Sequence, residues 1–585
     1  MKKVKSLVIT AMFLVSLLTM NSVISNGAPL IVWVDDNGPD NSYDHFDTIQ
    51  EGINAVAVGG TVYVAAGTYS PSTNGESFPI VIGKNLTLIG DGEATTIINA
   101  EDTHRVITVN AMISVSITKV TITGGNIDGG GGGLYNRGTL TMKNCTVSDN
   151  EAELGGGIYN RYNSTLTMTN CTVSGNTVNP YGGGIYNDGT LTMTGCIVNG
   201  NYAEYYGGGI YNDDAPITMM NCTVSYNEAG TSGGSGGGIY NYEGIITMTN
   251  CTVKDNIARE YGGGILNDED VAILTIKNST ISGNTADEDG GGIENYGTLT
   301  IVNCTVSGNT AFNDSEYGGG GIDNYDSYGS GAPLVIVNST VTGNISHYDG
   351  GGILNDGGAM ITIENCTISD NYAYHDGGGF YNDDSESSTN KIKNTIIANN
   401  NCVGNGPDVG GTVTSYGYNL IEDTSDCVIT EVANPSTNIT GVDPILGPLA
   451  YNSGPTQTRA LLSGSPAIDA GSCTDTDNNP VLTDQRGVSR PQGSRCDIGA
   501  YEYVHVLINP IAAFWPVAHY HLTQVNTLLG DIQDKLPDPV PDDIQNLLDE
   551  AQTHIDNANR TGNSIYANNE LLKALKILNE VLSKL

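Results

Sequence analysis

Basic residues are scarce in this chain: 23 lysines and arginines stand against 64 aspartates and glutamates among 585 residues. Phosphate binding needs a basic footprint, so nucleic acid is excluded as a partner. Long apolar runs are also missing, apart from Leu7 to Met20 behind Lys2, Lys3 and Lys5. That run is shorter than the roughly 20 residues a spanning helix needs. With small and polar residues following it, the N-terminus reads as a secretory signal peptide, residues 1–25, cut after Ser25. A membrane anchor is the competing reading, and no later segment is apolar enough to cross a bilayer.

Removing the leader takes away three lysines and no acid, which leaves 20 basic against 64 acidic residues and a net charge near −44. Such a surface stays soluble outside the cell by self-repulsion. The acidity also admits Ca2+, although the acids are spread out and form no ligand loop; no cofactor is otherwise evident. Helical periodicity is absent from the middle of the chain, where Gly, Thr and Asn dominate, and this excludes a helical repeat.

What is present there is a repeat, from Gly131 to about Asn400, with the unit GGGIYNDGTLTMTGCIVNGN at residues 182–201. The apolar residue after the glycines marks ten coils, at Leu134, Ile158, Ile185, Ile210, Ile239, Ile265, Ile293, Ile322, Ile353 and Phe380, spaced 24 to 31 residues apart. Leu191 and Met193 alternate with threonines, Cys196 and Val198 alternate again, and the two sets are out of phase across Thr194 and Gly195. A phase slip between two runs of period 2 marks a bend. Each coil is therefore expected to hold three short strands, GGIY, TLTM and CTVS, stacked on the next coil at about 4.8 Å. One coil cannot bury a core alone, so stability comes from neighbours. His45 to Val58 is expected to be a short amphipathic helix capping the open end. TVYVAAGTY, PIVIGKNLTLIG and SVSITKVTITG add about three coils. The fold class is an all-β solenoid, a right-handed parallel β-helix of about 13 coils over residues 26–130 and 131–415.

TIQEGINAVAVGGTVYVAAGTY followed by NLTLIGDG resembles the opening of pectate-lyase-like β-helix proteins. GGGIYN with CTVSGN resembles the repeats of polymorphic outer-membrane proteins, with Cys where those repeats usually have Phe. GYNL, GVDPILGPLAYNSGPTQTRALLSGSPAIDAG and TDQRGVSRPQGSRCDIGAYE, within residues 416–504, resemble the choice-of-anchor Q domain, which implies display at a surface and no reaction. Residues 505–585 carry three apolar stripes, beginning at Leu522, Ile544 and Leu571, and are expected to form a three-helix unit.

The asparagine closing GGGIYN recurs in every coil, from Asn136 to Asn382, and is read as a stack at a turn. Cys145, Cys171, Cys196, Cys222, Cys251, Cys304 and Cys366 share one inward position and are read as reduced core residues. Cys402, Cys427, Cys473 and Cys496 fall outside the repeat; export favours two bridges, Cys402 with Cys427 and Cys473 with Cys496. Most Asn-Cys-Thr and Asn-Ser-Thr triplets recur at a coil corner and are by-products of the repeat.

Tyr135, Tyr159, Tyr186, Tyr211, Tyr240 and Tyr381 follow the inward apolar residue, so alternation points them outward as an exposed stripe, interrupted by Leu266, Glu294, Asp323 and Leu354. Acids flank it, among them Glu153, Glu260, Asp289, Asp213 and Asp268. The stripe could contact carbohydrate or a surface partner, or it could be a stabilising ladder. No catalytic constellation is recognisable, since acids repeated on adjacent coils meet glycosidase spacing without meaning. His347 and His375, with Asp349 and Asp376, could make a metal set; solvated loop histidines are the plainer reading, and no metal site is assigned. The expected function is an extracellular or cell-surface scaffold, adhesin-like, binding polysaccharide or a surface protein. The alternative is a polysaccharide lyase or glycoside hydrolase on the same fold.

Overall fold

The computed structural model describes residues 28–35, 44–230, 233–312, 318–326, 333–383, 390–432 and 437–504, with parts of 521–536 and most of 541–584. The leader assigned to residues 1–25 lies outside the described residues. Two compact units divide the chain, the first ending at Tyr503 and the second beginning at Val504.

The first unit is a parallel β-solenoid of about 13 turns. Its strands form three long parallel sheets of 29, 15 and 11 strands, called here sheets 1, 2 and 3. A repeat coil contributes two strands to sheet 1, such as Ile185–Asn187 and Thr190–Thr194, then one to sheet 2, Ile197–Asn199, and from Asn126 to Cys402 a short one to sheet 3, such as Tyr202–Ala203. The expected three-strand coil thus has a fourth strand. It is only two residues long in most coils, too short for an alternation signal.

Register is kept coil after coil, with Leu140 on Leu166, Leu191 and then Ile217. Every core row is buried, including the seven repeat cysteines, none of which is bridged. Burial pushes the Cys304 and Cys366 thiols up to about 12, so they stay protonated and unreactive.

Corners explain the composition. Six of the seven repeat cysteines follow an asparagine, as in Asn144, Asn170 and Asn250 with φ of 50°, 49° and 54°, and Cys196 follows Gly195 at 63°, a region Asn tolerates better than most residues. The asparagine that closes GGGIYN does not occupy that region, but it does stack. Asn187 Nδ2 donates to Asn212 Oδ1, and Asn212 Nδ2 to Asn241 Oδ1, each at 2.8 Å. A second buried ladder, missed in the sequence, runs through the asparagine that closes CTVSGN, from Asn150 to Asn400, at 2.9 Å per step. It ends on Asp408. The same signal, an invariant Asn at a fixed repeat position, was there to find it.

The open end is capped by the helix Ile49–Ala55, whose N-cap Thr48 accepts from the Glu51 amide and whose Ile49 and Ile53 are buried. At the other end, coils continue through Val409–Ser415, Cys427–Glu431 and Ile439–Thr440. The chain then turns back along the outer face of sheet 2. Thr456 Oγ1 donates to Asn303 O, Thr340 Oγ1 to Gln485 Oε1, and the Ala500 amide to Thr367 Oγ1. This cover buries the outward residues of Thr305–Ser307, Thr340–Thr342, Thr367–Ser369 and Ile396–Ala398, whereas in Thr146–Ser148 and Thr172–Ser174 the equivalents are half-exposed. Within it, Arg490 and Glu502 are fully buried and paired at 3.3 Å, and the Arg486 guanidinium lies 3.5 Å from the Tyr501 ring centre. These charges of the TDQRGVSRP and CDIGAYE motifs therefore hold the cover together.

Cys473 and Cys496, both in this cover, are bridged, with Cα atoms 5.3 Å apart. The second expected bridge is corrected. Cys402 lies in the sheet 3 strand Asn401–Cys402 and Cys427 in the sheet 1 strand Cys427–Glu431, so the solenoid places them on different faces. Non-reducing peptide mapping should recover the peptide pair containing Cys473 and Cys496 and none joining Cys145 to Cys171 or Cys196 to Cys222. A bridge between ladder cysteines would sink the buried-stack account.

In the second unit, the helices Asp542–Arg560 and Ser564–Lys584 pack Ile544, Ala551 and Ile555 against Leu571, Ala574, Leu578 and Val581. Val525 and Ile532 join this core. Leu522 and its surroundings fall partly outside the described residues.

Candidate functional site

The candidate residues meet where sheet 3 turns into sheet 1. The turn is made by a glycine triplet whose first member has positive φ, as at Gly182 (74°) and Gly207 (67°). The second member passes close to the next coil. A Cβ on Gly237 would lie 2.3 Å from Ile257 O, so only glycine fits.

Alternation places the tyrosines of Ile-Tyr-Asn outside the core, but the expectation of an exposed stripe is corrected. Tyr186, Tyr211 and Tyr240 are only 8, 8 and 6% exposed, and Tyr135, Tyr159 and Tyr381 are half-buried. Two contacts cover them. Neighbouring rings stack on one another, with centres 5.0 Å apart for Tyr186 and Tyr211 and 5.1 Å for Tyr211 and Tyr240, nearly parallel at 18° and 15°. The bend at the glycines also brings a second column over them: Tyr181 lies 5.2 Å from Tyr211, and Tyr206 lies 4.7 Å from Tyr240. With Leu154, Tyr261 and Leu266 these rings form an apolar cluster separate from the solenoid core. Parity within one strand could not reveal a ring arriving from across a bend.

The flanking acids bind the hydroxyls. Tyr186 donates to Asp213 and Tyr240 to Asp268, each on the following coil. Burial, and then the charge of Asp188, push the Tyr159 hydroxyl up to about 12. At the start of the column the Arg105 guanidinium sits 4.7 Å from the Tyr135 ring centre. Beside the seam, a cleft of about 560 Å³ is lined by Asn126, Asp128, Glu151, Glu153, Leu154 and Pro180, within the size range of small-ligand sites.

Further along, the column changes chemistry. Leu266 is followed by Glu294 and Asp323, directly paired in register. Both are buried, and Glu294 Oε2 has no hydrogen-bond partner. Burial first, then the charge of Asp323, holds Glu294 well above the carboxylate range; burial, then Asp289 and Asp356, does the same for Asp323.

Of the four residues considered for a metal set, three come together. His375 Nδ1 lies 2.7 Å from Asp349 Oδ1 and 3.6 Å from Asp376 Oδ2. His347 instead lies against Phe312 and Tyr374, with tilted rings at 4.8 and 4.6 Å.

No curated protein matches the chain in sequence. Among solved structures, pectate lyase Pel9A is 16% identical with a TM-score of 0.29, covering 81% of this chain and 96% of that one. The Azotobacter vinelandii mannuronan C-5 epimerase AlgE6 A-module is 14% identical with a TM-score of 0.27, covering 67% of this chain and 93% of that one. A third, Geobacillus virus E2 ORF18, is 17% identical with a TM-score of 0.31, covering 50% and 59%. None of these likenesses bears on activity. Over residues 83–216 the chain matches the family described as right handed beta helix region, in keeping with the solenoid that those residues form.

Proposed function

We propose that this chain is an extracellular or cell-surface scaffold that binds a polysaccharide along the corner between sheets 3 and 1, in the adhesin-like manner of a non-catalytic solenoid. The observation that carries the reading is the two-column tyrosine seam opening on the cleft at Asp128, Glu151 and Glu153. The inner rings have their faces occupied by one another, so they build the wall. The rim does the binding: Tyr205 is 38% exposed, and the cleft carboxylates can accept hydrogen bonds from sugar hydroxyls. Catalysis is the weaker reading, because the carboxylates stacked within the tyrosine column, Glu294 and Asp323, are buried.

A glycan array, followed by affinity measurement on the best polysaccharide, tests this. Changing Tyr205 to Ala with Glu153 to Gln should weaken binding about tenfold or more while leaving the melting temperature within a few degrees. Changing Tyr186 and Tyr211 to Ala should lower the melting temperature, because it removes stacked rings worth about 0.5–1.5 kcal/mol per pair beyond their burial. Unchanged affinity in the rim variant would remove the cleft as the binding site. Product release from the polysaccharide would favour the enzyme alternative.

A further inference from the structure

We infer that Asp349, His375 and Asp376 form a binding site for a divalent transition-metal ion, best matched by Zn2+, clasping two adjacent coils of the solenoid. One ligand atom from each residue lies within 4.8 Å of the others. The repeat explains the convergence. Asp349 and Asp376 occupy the same position, immediately before the glycine triplet, and the Gly350 amide donates to Asp376 O, so in-register stacking sets one carboxylate above the other.

Backbone groups hold both acids in place. The Asp376 amide donates to Asp349 Oδ1 at 2.7 Å, and the Asn405 amide donates to Asp376 Oδ1 at 2.5 Å. The imidazole is steadied by the Tyr348 ring, stacked at 4.7 Å and 15°. Such outer contacts are what orient metal ligands. The two acid side chains are 11 and 14% exposed, whereas His375 is 51% exposed.

The donor set selects the ion class. Imidazole nitrogen with two carboxylates suits Zn2+ and its neighbours, whereas Ca2+ takes six to eight oxygens. Zinc ligands bound at about 2.0–2.2 Å stand roughly 3.3 Å apart across a tetrahedral edge. The Nδ1 to Oδ1 contact at 2.7 Å must therefore widen by about half an ångström on binding, and a half-exposed ring has room to do so. Binding requires the Nδ1 lone pair of His375 to face the ion, with the ring proton on Nε2. Three protein ligands leave a fourth position toward solvent, open to water or to an oxygen of a second ligand. The site involves different coils from the polysaccharide cleft and does not rest on that reading.

Calorimetric titration of the full chain with ZnCl2 tests the site, alongside Asp349→Asn and His375→Gln. The parent should bind one Zn2+ tightly, with each variant weaker by at least about tenfold. His375→Gln replaces a half-exposed side chain, so it keeps the test decisive if Asp349→Asn fails to fold. Absence of stoichiometric Zn2+ binding, equal affinity in parent and His375→Gln, or displacement of Zn2+ by equimolar Ca2+ would each overturn the inference.

Discussion

Replacing Asn227 by Ala should destabilise the solenoid by about 3–5 kcal/mol, because the change strips hydrogen bonds from three buried neighbours at once. Asn227 Oδ1 accepts from the Asn201 amide at 3.0 Å and from Asn201 Nδ2 at 2.9 Å. Its own Nδ2 donates to Val198 O at 3.0 Å and to Asn256 Oδ1 at 2.9 Å. The side chain is wholly buried, so no water replaces what is lost. Each orphaned buried group costs about 1–3 kcal/mol, and the cavity adds to this. By contrast, Asn250→Ala at an exposed corner is expected to cost about 1–2 kcal/mol, the strain of a left-handed Ala. Urea unfolding of both variants measures the difference. Stability is a sum over neighbouring coils, so hydrogen exchange should localise the Asn227 loss to the coils on either side. A loss below about 1 kcal/mol for Asn227→Ala would show that the ladder is ornamental.

The second expected result concerns Glu294 and Asp323. Their folded-state pKa values lie well above the ordinary range, raised first by burial and then by neighbouring carboxylates. In the unfolded chain both titrate near 4. Below that pH both states are protonated and the pair costs nothing. As pH rises the unfolded chain releases its protons first, so stability is lost progressively until the folded-state values are passed. Changing Glu294 to Gln together with Asp323 to Asn should therefore add about 1–4 kcal/mol at neutral pH, the range seen when buried charges are removed. The gain should vanish in acid. Unfolding midpoints of both proteins across the acidic to neutral range measure this, and parallel profiles would refute the shared-burial account. The same comparison asks whether the pair has a use, since a column that elsewhere carries tyrosine or leucine has no structural need for two acids.

Much of this architecture was legible before any coordinates. Phase-slipped runs of period 2, as in Leu191–Met193 against Cys196–Val198, located the bend between sheets 1 and 2, because side-chain alternation is a property of the strand alone. The recurrence of Asn136, Asn160 and Asn187 announced a ladder, since a parallel solenoid turns sequence period into spatial neighbour. The corner asparagines and the reduced cysteine stack followed from the same rule.

What sequence could not supply were contacts between segments without a shared period. Tyr211 points away from the core, as its parity requires, yet the Tyr181 ring covers it because the glycine corner folds sheet 3 onto sheet 1. Cys402 and Cys427 are close in sequence but separated by a face of the solenoid, a matter of angular position that spacing alone does not encode. The stretch ending at Tyr503 read as a domain following the repeats, and only the folded chain laid it over sheet 2, burying Thr340 and Thr367. Local pattern determined each coil and its stacking, because those interactions repeat every 24 to 31 residues. Tertiary structure alone decided which outward faces remain open, because covering a face depends on where a non-repeating segment lands.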